Sequence, residues 1–159
     1  MGTRHLVKIV LNGETKVAQF GHSDGYLEGT GYKLASFIEN EYKPTVLKRN
    51  VAKLSFYTDE EVDAIYATLK DSEVSEKHPE LDSSNPVNVL RAILKGAVKV
   101  PDARDFEHDS LFCEWVYTIN LDKKEITVEN KGYFSKTFKI KDFTIDNLKL
   151  AKQEMLDAG

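Results

Sequence analysis

The dipeptide Asn12-Gly13 is the feature that most restricts how this chain folds. It lies between two runs rich in apolar and β-branched residues, LVKIVL (residues 6–11) and TKVAQF (residues 15–20). Asn-Gly is typical of a two-residue type I′ hairpin turn, because both central residues of that turn need a positive φ. The sequence therefore predicts a β-hairpin over the first 21 residues.

A two-residue turn also predicts which side chains share a face of the hairpin, because side chains alternate along a strand. Arg4 is predicted to lie opposite Gly21, which places Arg4 and Gln19 beside the segment that follows the hairpin. The face predicted to be buried contains His5, Val7, Ile9, Ala18 and Phe20. The opposite face is predicted to contain Arg4, Leu6, Lys8, Val17 and Gln19.

The middle of the chain has the apolar spacing of helices. Helices are predicted over residues 32–40, from Pro44 onward, and after the capping box TDEE (residues 58–61). The polar stretch 71–85 is predicted to be a surface loop. Asn85-Pro86 then supplies an N-cap and a first-turn proline for a fourth helix.

The last third of the chain returns to strand patterns. Residues 113–121 alternate between apolar and polar side chains, and EITVEN and YFSKTFKI follow as two further strands before a helix capped by Thr144. This order predicts one α+β domain over residues 1–159. Its expected architecture is an antiparallel sheet of about five strands, the N-terminal hairpin plus three C-terminal strands, with helices packed on one side.

Composition limits the classes of function. The net charge of −4 and pI near 5.6 argue against a broad electrostatic interaction with nucleic acid. No apolar run approaches the length of a membrane span, so no membrane partner is expected. Cys113 is the single cysteine, which excludes an internal disulfide and fits a cytoplasmic location. His22 and Asp24 supply only two metal ligands, so neither a metal nor a cofactor is predicted.

Four glycines fall within residues 21–31, hereafter the glycine loop. The loop matches neither dinucleotide nor Walker phosphate fingerprints. A glycine-rich turn that ends at a helix N-terminus nevertheless offers backbone N–H groups to an anion. The predicted ligand-binding residues are Arg4, Gln19, Gly21, His22, Asp24, Gly25, Tyr26, Gly29, Thr30, Gly31 and Lys33. The alternative is a structural loop in which the glycines serve geometry alone.

Several segments resemble the signature of a family of small uncharacterised proteins from phages, prophages and some fungi. The similar segments are residues 3–6 (TRHL), 16–21 (KVAQFG), 24–26 (DGY), Gly29, Gly31 and 113–122 (CEWVYTINLD). The family's loop tends to read Gly-Gln-Trp-Asp-Gly-Tyr-Pro, whereas this chain has His22-Ser23 for Gln-Trp and Leu27 for Pro. The resemblance implies an accessory protein that acts on host machinery or host signals in the host cytoplasm.

These observations lead to one main prediction and two alternatives. The main prediction is a phage-type accessory protein that binds a small anionic or nucleotide-like ligand at the glycine loop, sequestering a host defence signal without turnover. No catalytic residue is predicted. One alternative is an amide hydrolase, because residues 1–4 (MGTR) distantly resemble N-terminal-nucleophile hydrolases of the choloylglycine type, with Thr3 as nucleophile once exposed. The other alternative is an inhibitor that binds a host protein. A homo-oligomer is compatible with all three.

Overall fold

The computed structural model describes residues 3–82, 84–85, 87–108, 113–130 and 133–158. Within these residues the strands are β1 (His5–Leu11), β2 (Glu14–Gly21), β3 (Ser55–Phe56), β4 (Lys99–Val100), β5 (Trp115–Asn120), β6 (Glu125–Asn130) and β7 (Phe134–Lys139). The α-helices are α1 (Tyr32–Asn40), α2 (Pro44–Val51), α3 (Asp59–Thr68), α4 (Asp71–Lys77), α5 (Val87–Leu94) and α6 (Ile145–Ala158). Pro86 and the other residues outside these ranges lie beyond the described residues.

The α+β fold is confirmed. Five strands form one sheet in the order β2-β1-β5-β6-β7, and β3 pairs with β4 in a separate two-stranded sheet. The predicted wholly antiparallel pairing is wrong for one pair, because β1 and β5 run parallel. Residues 12–114, which include five helices, separate these two strands, and a connection of that length lets the chain re-enter the sheet in either direction. The other three neighbouring pairs of the large sheet are antiparallel.

The N-terminal hairpin is confirmed, but its register differs from the prediction. Asn12 and Gly13 have φ values of 55° and 75°, as a type I′ turn requires. A β-bulge then follows in β2, because Thr15 pairs with Val10 and Val17 pairs with Ile9, which leaves Lys16 as an extra residue. The bulge moves every later residue of β2 to the face opposite the predicted one.

The buried clusters show the effect of the bulge. Val17 is fully buried in the main core with Val7 and Ile9, although it was predicted on the opposite face. Ala18 packs in a smaller cluster on the other side of the sheet, and Phe20 contacts Phe106 there with ring centroids 4.8 Å apart. The predicted pairing of Arg4 with Gly21 is also wrong, because His5 is the residue that pairs with Gly21.

Helices largely follow their local signals. α1 spans the predicted residues, α2 begins at Pro44, and the Thr58 hydroxyl accepts a hydrogen bond from the Glu61 N–H in the predicted capping box. The predicted surface loop at 71–85 is wrong for its first part, because α4 and a 3₁₀ turn (Pro79–Leu81) form there. Its few apolar residues are used for packing, since Val74 is only 2% exposed.

Most of the helices pack on one face of the large sheet, where the main core lies. The other face carries the smaller cluster of Leu6, Ala18, Cys113 and Val116, against which Ala103 and Phe106 pack. The second face is therefore partly covered by the segment around a 3₁₀ turn (Arg104–His108) rather than by an α-helix. Among the described residues, no helix combines the length and apolar character that crossing a membrane requires.

The bulge leads to a mutational prediction. We expect Val17→Ala to lower the free energy of unfolding by about 2 kcal/mol, because the lost methyl groups are fully buried. The neighbouring Lys16→Ala is the control and is expected to change it by less than about 0.5 kcal/mol. Urea unfolding of both variants checks this. A larger effect at Lys16 than at Val17 would contradict the bulged register.

Candidate functional site

The glycine loop is folded tightly around the buried side chain of His5. A Cβ atom at Gly21 would lie 2.1 Å from the imidazole ring, and a Cβ atom at Gly25 would lie 2.8 Å from both His5 Cβ and the Thr3 carbonyl oxygen. A Cβ atom at Gly29 would lie 2.2 Å from the Asp24 carbonyl oxygen. These three glycines therefore permit close packing of the backbone, whereas Gly31 has only ordinary contacts at 3.5 Å.

His5 holds the loop through a chain of hydrogen bonds. The Thr30 hydroxyl donates to the Asp24 carbonyl oxygen at 2.8 Å, and His5 Nε2 lies 3.2 Å from the same hydroxyl. Since the hydroxyl proton is already donated, we infer that Nε2 carries the imidazole proton and donates it to Thr30. Nδ1 has no hydrogen-bond partner among the described residues, and the imidazole is neutral near pH 7 because its pKa is low. Burial lowers the pKa of His5 to about 4.

Three backbone N–H groups of the loop are already bonded within the chain, which leaves fewer donors for an anion than the prediction assumed. The N–H of Gly25 donates to Thr3, that of Gly29 to Tyr26, and that of Thr30 to Asp24. A π-helical turn (Leu27–Gly31) leads directly into α1, and the Tyr32 N–H is bonded within it. The physical reason is that a loop buried on one side must satisfy its own polar groups, and here its own carbonyl oxygens do so.

Tyr117 on β5 completes the support of the loop. Its hydroxyl donates to the Gly25 carbonyl oxygen at 2.6 Å, and its ring meets His5 edge-on with centroids 6.4 Å apart. Burial raises the pKa of Tyr117 well above its usual value, so the hydroxyl remains a donor. The Tyr117 hydroxyl thereby joins β5 to the loop beside His5, the first residue of β1.

The remaining predicted site residues are dispersed. His22, Asp24 and Tyr26 are exposed, and the Asp24 carboxylate accepts a hydrogen bond from the Tyr26 hydroxyl at 3.2 Å. Gln19 is instead buried, and its amide donates to the Phe20 carbonyl oxygen. Arg4 and Lys33 are partly buried. None of the eleven predicted residues lines the two grooves whose lining the structure defines best among the described residues. Ligand binding at the glycine loop stays a prediction.

A larger groove lies elsewhere, where the helices meet the end of the sheet. Its volume is about 1090 Å³. We call it the lysine groove, and its lining residues are Ile38, Glu39, Tyr42, Pro44, Lys48, Leu121, Lys123, Lys124, Glu125, Lys139, Ile140, Lys141, Phe143, Thr144, Ile145 and Asp146. The lining comes from the end of α1, from α2, from the turn between β5 and β6, from the end of β7 and from the start of α6.

The apolar part of the lysine groove is preorganised. Leu121, Ile140 and Phe143 belong to the main core and are at most 5% exposed. The Phe143 ring is held edge-on against Phe138, with centroids 5.4 Å apart. Tyr42 is half-buried at the side of the groove, and burial raises its pKa. These core residues support the groove from beneath, and the apolar surface left for a ligand to contact belongs to the partly exposed Ile38, Tyr42 and Ile145.

The charged part of the groove is mainly positive. Five lysines and three carboxylates line it, although the whole chain has a net charge of −4. Lys123, Lys124, Lys139 and Lys141 form no ion pair with any described carboxylate. The nearby Asp122 accepts hydrogen bonds from the Asn12 and Gly13 N–H groups at 2.8 and 3.0 Å, which lower the pKa of its carboxyl. Asp122 is thus engaged by the hairpin turn.

Sequence reasoning missed this groove, but a signal for part of it exists. Lys123 and Lys124 lie in a turn between two predicted strands, and Lys139 and Lys141 lie at the end of the next strand. In an antiparallel sheet, the turn before one strand and the last residues of the following strand lie at the same end of the sheet. These four lysines were therefore open to prediction as neighbours, whereas the apolar residues from α1 and α6 were not.

Comparison with family models, with curated proteins and with solved structures finds no match for this chain. The candidate site therefore rests on the geometry of the chain itself. That geometry separates two features that the sequence suggested were one: the glycine loop packs on His5, and the exposed positive charge gathers at the lysine groove.

The glycine contacts predict a contrast between two alanine variants. Gly29→Ala is expected to lower the free energy of unfolding by about 3 kcal/mol, because its Cβ atom would collide with backbone that cannot move freely. Gly31→Ala is the matched control, and it is expected to be neutral or to stabilise by up to about 1 kcal/mol, since Gly31 has a helical φ of −57°. Thermal unfolding followed by circular dichroism checks both. Equal destabilisation of the two variants would contradict the loop geometry.

The buried imidazole predicts a dependence of stability on pH. The pKa of His5 falls from an ordinary 6.5 in the unfolded chain to about 4 in the fold, so protonation favours unfolding. The stabilisation is complete above pH 6.5 and is lost as pH falls toward 4, by about 3 kcal/mol in total. Urea unfolding across this range checks it. His5→Gln should flatten the pH dependence and His108→Gln should not; an unchanged slope in His5→Gln would refute the assignment.

Proposed function

We propose that this protein binds a small anionic ligand that has an apolar body, and that the lysine groove is the binding site. The observation that carries the proposal is the set of four lysines that form no ion pair with any described carboxylate, placed beside the partly exposed apolar residues Tyr42 and Ile145. The predicted ligand class is kept, while its proposed location moves from the glycine loop to the groove.

The charges favour an anion. An anion that enters the groove gains attraction from lysines that no described carboxylate neutralises at close range. Exposed ammonium groups each contribute little, about 0.2–1 kcal/mol, so several must act together to matter. Four of them around one groove provide that number.

The apolar floor favours a ligand with more than a charged group. Ligand sites of small molecules are mostly apolar concavities of about 300–1,000 Å³ with a few polar groups that fix orientation. The lysine groove reaches the upper end of this range. Covering the partly exposed Ile38, Tyr42 and Ile145 with an apolar or aromatic body adds the burial that exposed charges alone do not supply.

We propose binding without turnover. The lining hydroxyl of Thr144 accepts a hydrogen bond from the Asn147 N–H and so caps α6. The remaining charged groups of the lining are lysines and carboxylates at its rim. Sequestration of a host defence signal, which the resemblance to phage proteins implies, would use such a site and stays a prediction, as does the hydrolase alternative at Thr3.

One observation favours an additional interaction with a protein partner. Residues 59–77 contain seven carboxylates and two lysines, so the negative charge of the chain is concentrated in α3 and α4. No residue of α3 is fully buried, and Tyr66 beside this charge is 46% exposed. A basic partner surface would complement this face, which keeps the protein-inhibitor alternative as a second candidate function.

Anilinonaphthalene sulfonate, an anionic aromatic dye, tests the main proposal. We expect the native protein to bind it with a rise in fluorescence, and we expect the double variant Lys139→Gln/Lys141→Gln to bind roughly fivefold more weakly, because two charges are lost. Lys53→Gln, an exposed lysine outside the groove, is the matched control and should bind as the parent does.

Far-UV circular dichroism and thermal unfolding show whether each variant is folded, since partly folded proteins also bind this dye. Absence of binding to the native protein would overturn the proposed function. Equal affinities of the double variant and Lys53→Gln would show that the dye binds outside the lysine groove, which would overturn the proposed location.

A further inference from the structure

Four of the five lysines of the groove lie at one end of the large sheet. Lys123 and Lys124 lie in the turn after β5, and Lys139 and Lys141 lie at the end of β7 and in the 3₁₀ turn (Ile140–Asp142) that follows. The Ile140 N–H donates to the Lys124 carbonyl oxygen at 3.0 Å, which joins the two segments. We call these four residues the lysine cluster.

The backbone places the cluster firmly. Lys124 has a φ of 56°, a left-handed conformation that fixes the direction of the tight turn. Lys139 is the Cα partner of Glu125 across β6 and β7, so the end of β7 is held against the start of β6. The four ammonium groups thus extend from a hydrogen-bonded sheet edge rather than from unconnected parts of the surface.

The positive charge of the lysine cluster is larger than a single negative charge on a ligand can balance. Glu125 is the carboxylate of the lining that lies in the same part of the sheet, against four lysines. A carboxylate ligand brings one negative charge and two acceptor oxygens. A phosphate monoester brings a charge of about −1.5 to −2 and three strong acceptor oxygens, which several lysines contact at once.

Resting on the proposed function, we infer that the ligand of the lysine groove is a phosphate ester whose phosphate is bound by Lys123, Lys124, Lys139 and Lys141. Its apolar or aromatic body lies against the partly exposed Tyr42 and Ile145. The lysines act as point charges, so the phosphate is recognised by charge, and the body decides which phosphate ester binds.

Nucleotides and single-chain lipid phosphates share this chemistry. Both join a phosphate to a body that the partly exposed Ile38, Tyr42 and Ile145 can contact. Inorganic phosphate lacks the body and is expected to bind more weakly than either. A carboxylate with the same body lacks the second charge and is also expected to bind more weakly.

Displacement of bound anilinonaphthalene sulfonate from the full chain tests the inference. The probes are octyl phosphate, octanoate, adenosine monophosphate and inorganic phosphate, compared at low and high salt. We expect octyl phosphate or adenosine monophosphate to displace the dye at a concentration about tenfold lower than octanoate does, corresponding to about 1.4 kcal/mol. High salt should reduce this preference, because it screens exposed charges.

The variants show where the preference arises. Lys139→Gln/Lys141→Gln should remove most of the preference for phosphate over octanoate, while Lys53→Gln should retain it. Displacement by octyl phosphate alone assigns a lipid-type body, and displacement by adenosine monophosphate alone assigns a nucleoside. Both results support the inference.

Three results would overturn the inference: octanoate displaces as well as octyl phosphate, inorganic phosphate displaces as well as the esters, or the double variant keeps the full preference. In each of these the dye still binds the native protein, so the proposed function survives. Absence of dye binding, in contrast, is the failure of the proposed function itself.

Discussion

The burial of His5 is the interaction on which the N-terminal half of the fold depends. His5 is the first residue of β1, and its backbone pairs with Gly21. Its neutral imidazole is hydrogen-bonded to Thr30 and meets the Tyr117 ring edge-on. These partners come from β2, from the turn into α1 and from β5, so one side chain connects the hairpin, the first helix and the central strand. Its polar atoms lose water on burial, and the hydrogen bond to Thr30 offsets part of that loss. The backbone must approach the ring closely, and this requirement explains the glycines at 21 and 25.

The same interaction explains why the glycine loop resembled a ligand site. Glycines before a helix N-terminus are typical both of anion-binding loops and of loops that pack closely on a buried side chain. The sequence contains no information on which partner the backbone approaches, because that partner, His5, lies sixteen residues before Gly21 and reaches it only through the hairpin pairing. In the structure, carbonyl oxygens of the loop and of Thr3 accept the N–H groups of Gly25, Gly29 and Thr30.

Features that depend on residues close in the sequence were predictable, whereas features that depend on distant residues were not. The hairpin turn at Asn12 and the capping box of Thr58 and Glu61 are local, and both form as expected. The bulge at Lys16 was not predictable from the strand's own sequence. The extra residue places Val17, rather than Lys16, in the main core, and that placement depends on tertiary packing. α4 was missed for a similar reason: its one buried residue, Val74, is too weak a periodic signal in a polar segment. The parallel pairing of β1 with β5 joins the neighbouring strands that lie furthest apart in the sequence, and no local sequence pattern indicates it.

The turn that carries Lys123 and Lys124 is also held by an interaction at long range. Both carboxylate oxygens of Asp122, the residue before these lysines, accept N–H groups of Asn12 and Gly13. Because β1 and β5 are parallel neighbours, the hairpin turn after β1 and the turn after β5 lie at the same end of the sheet. The best-predicted turn of the chain therefore fixes the Asp122 carboxylate, which keeps its negative charge while it accepts these hydrogen bonds. Topology and local structure are coupled here: an antiparallel placement of β1 beside β5 would put the two turns at opposite ends of the sheet and remove both hydrogen bonds.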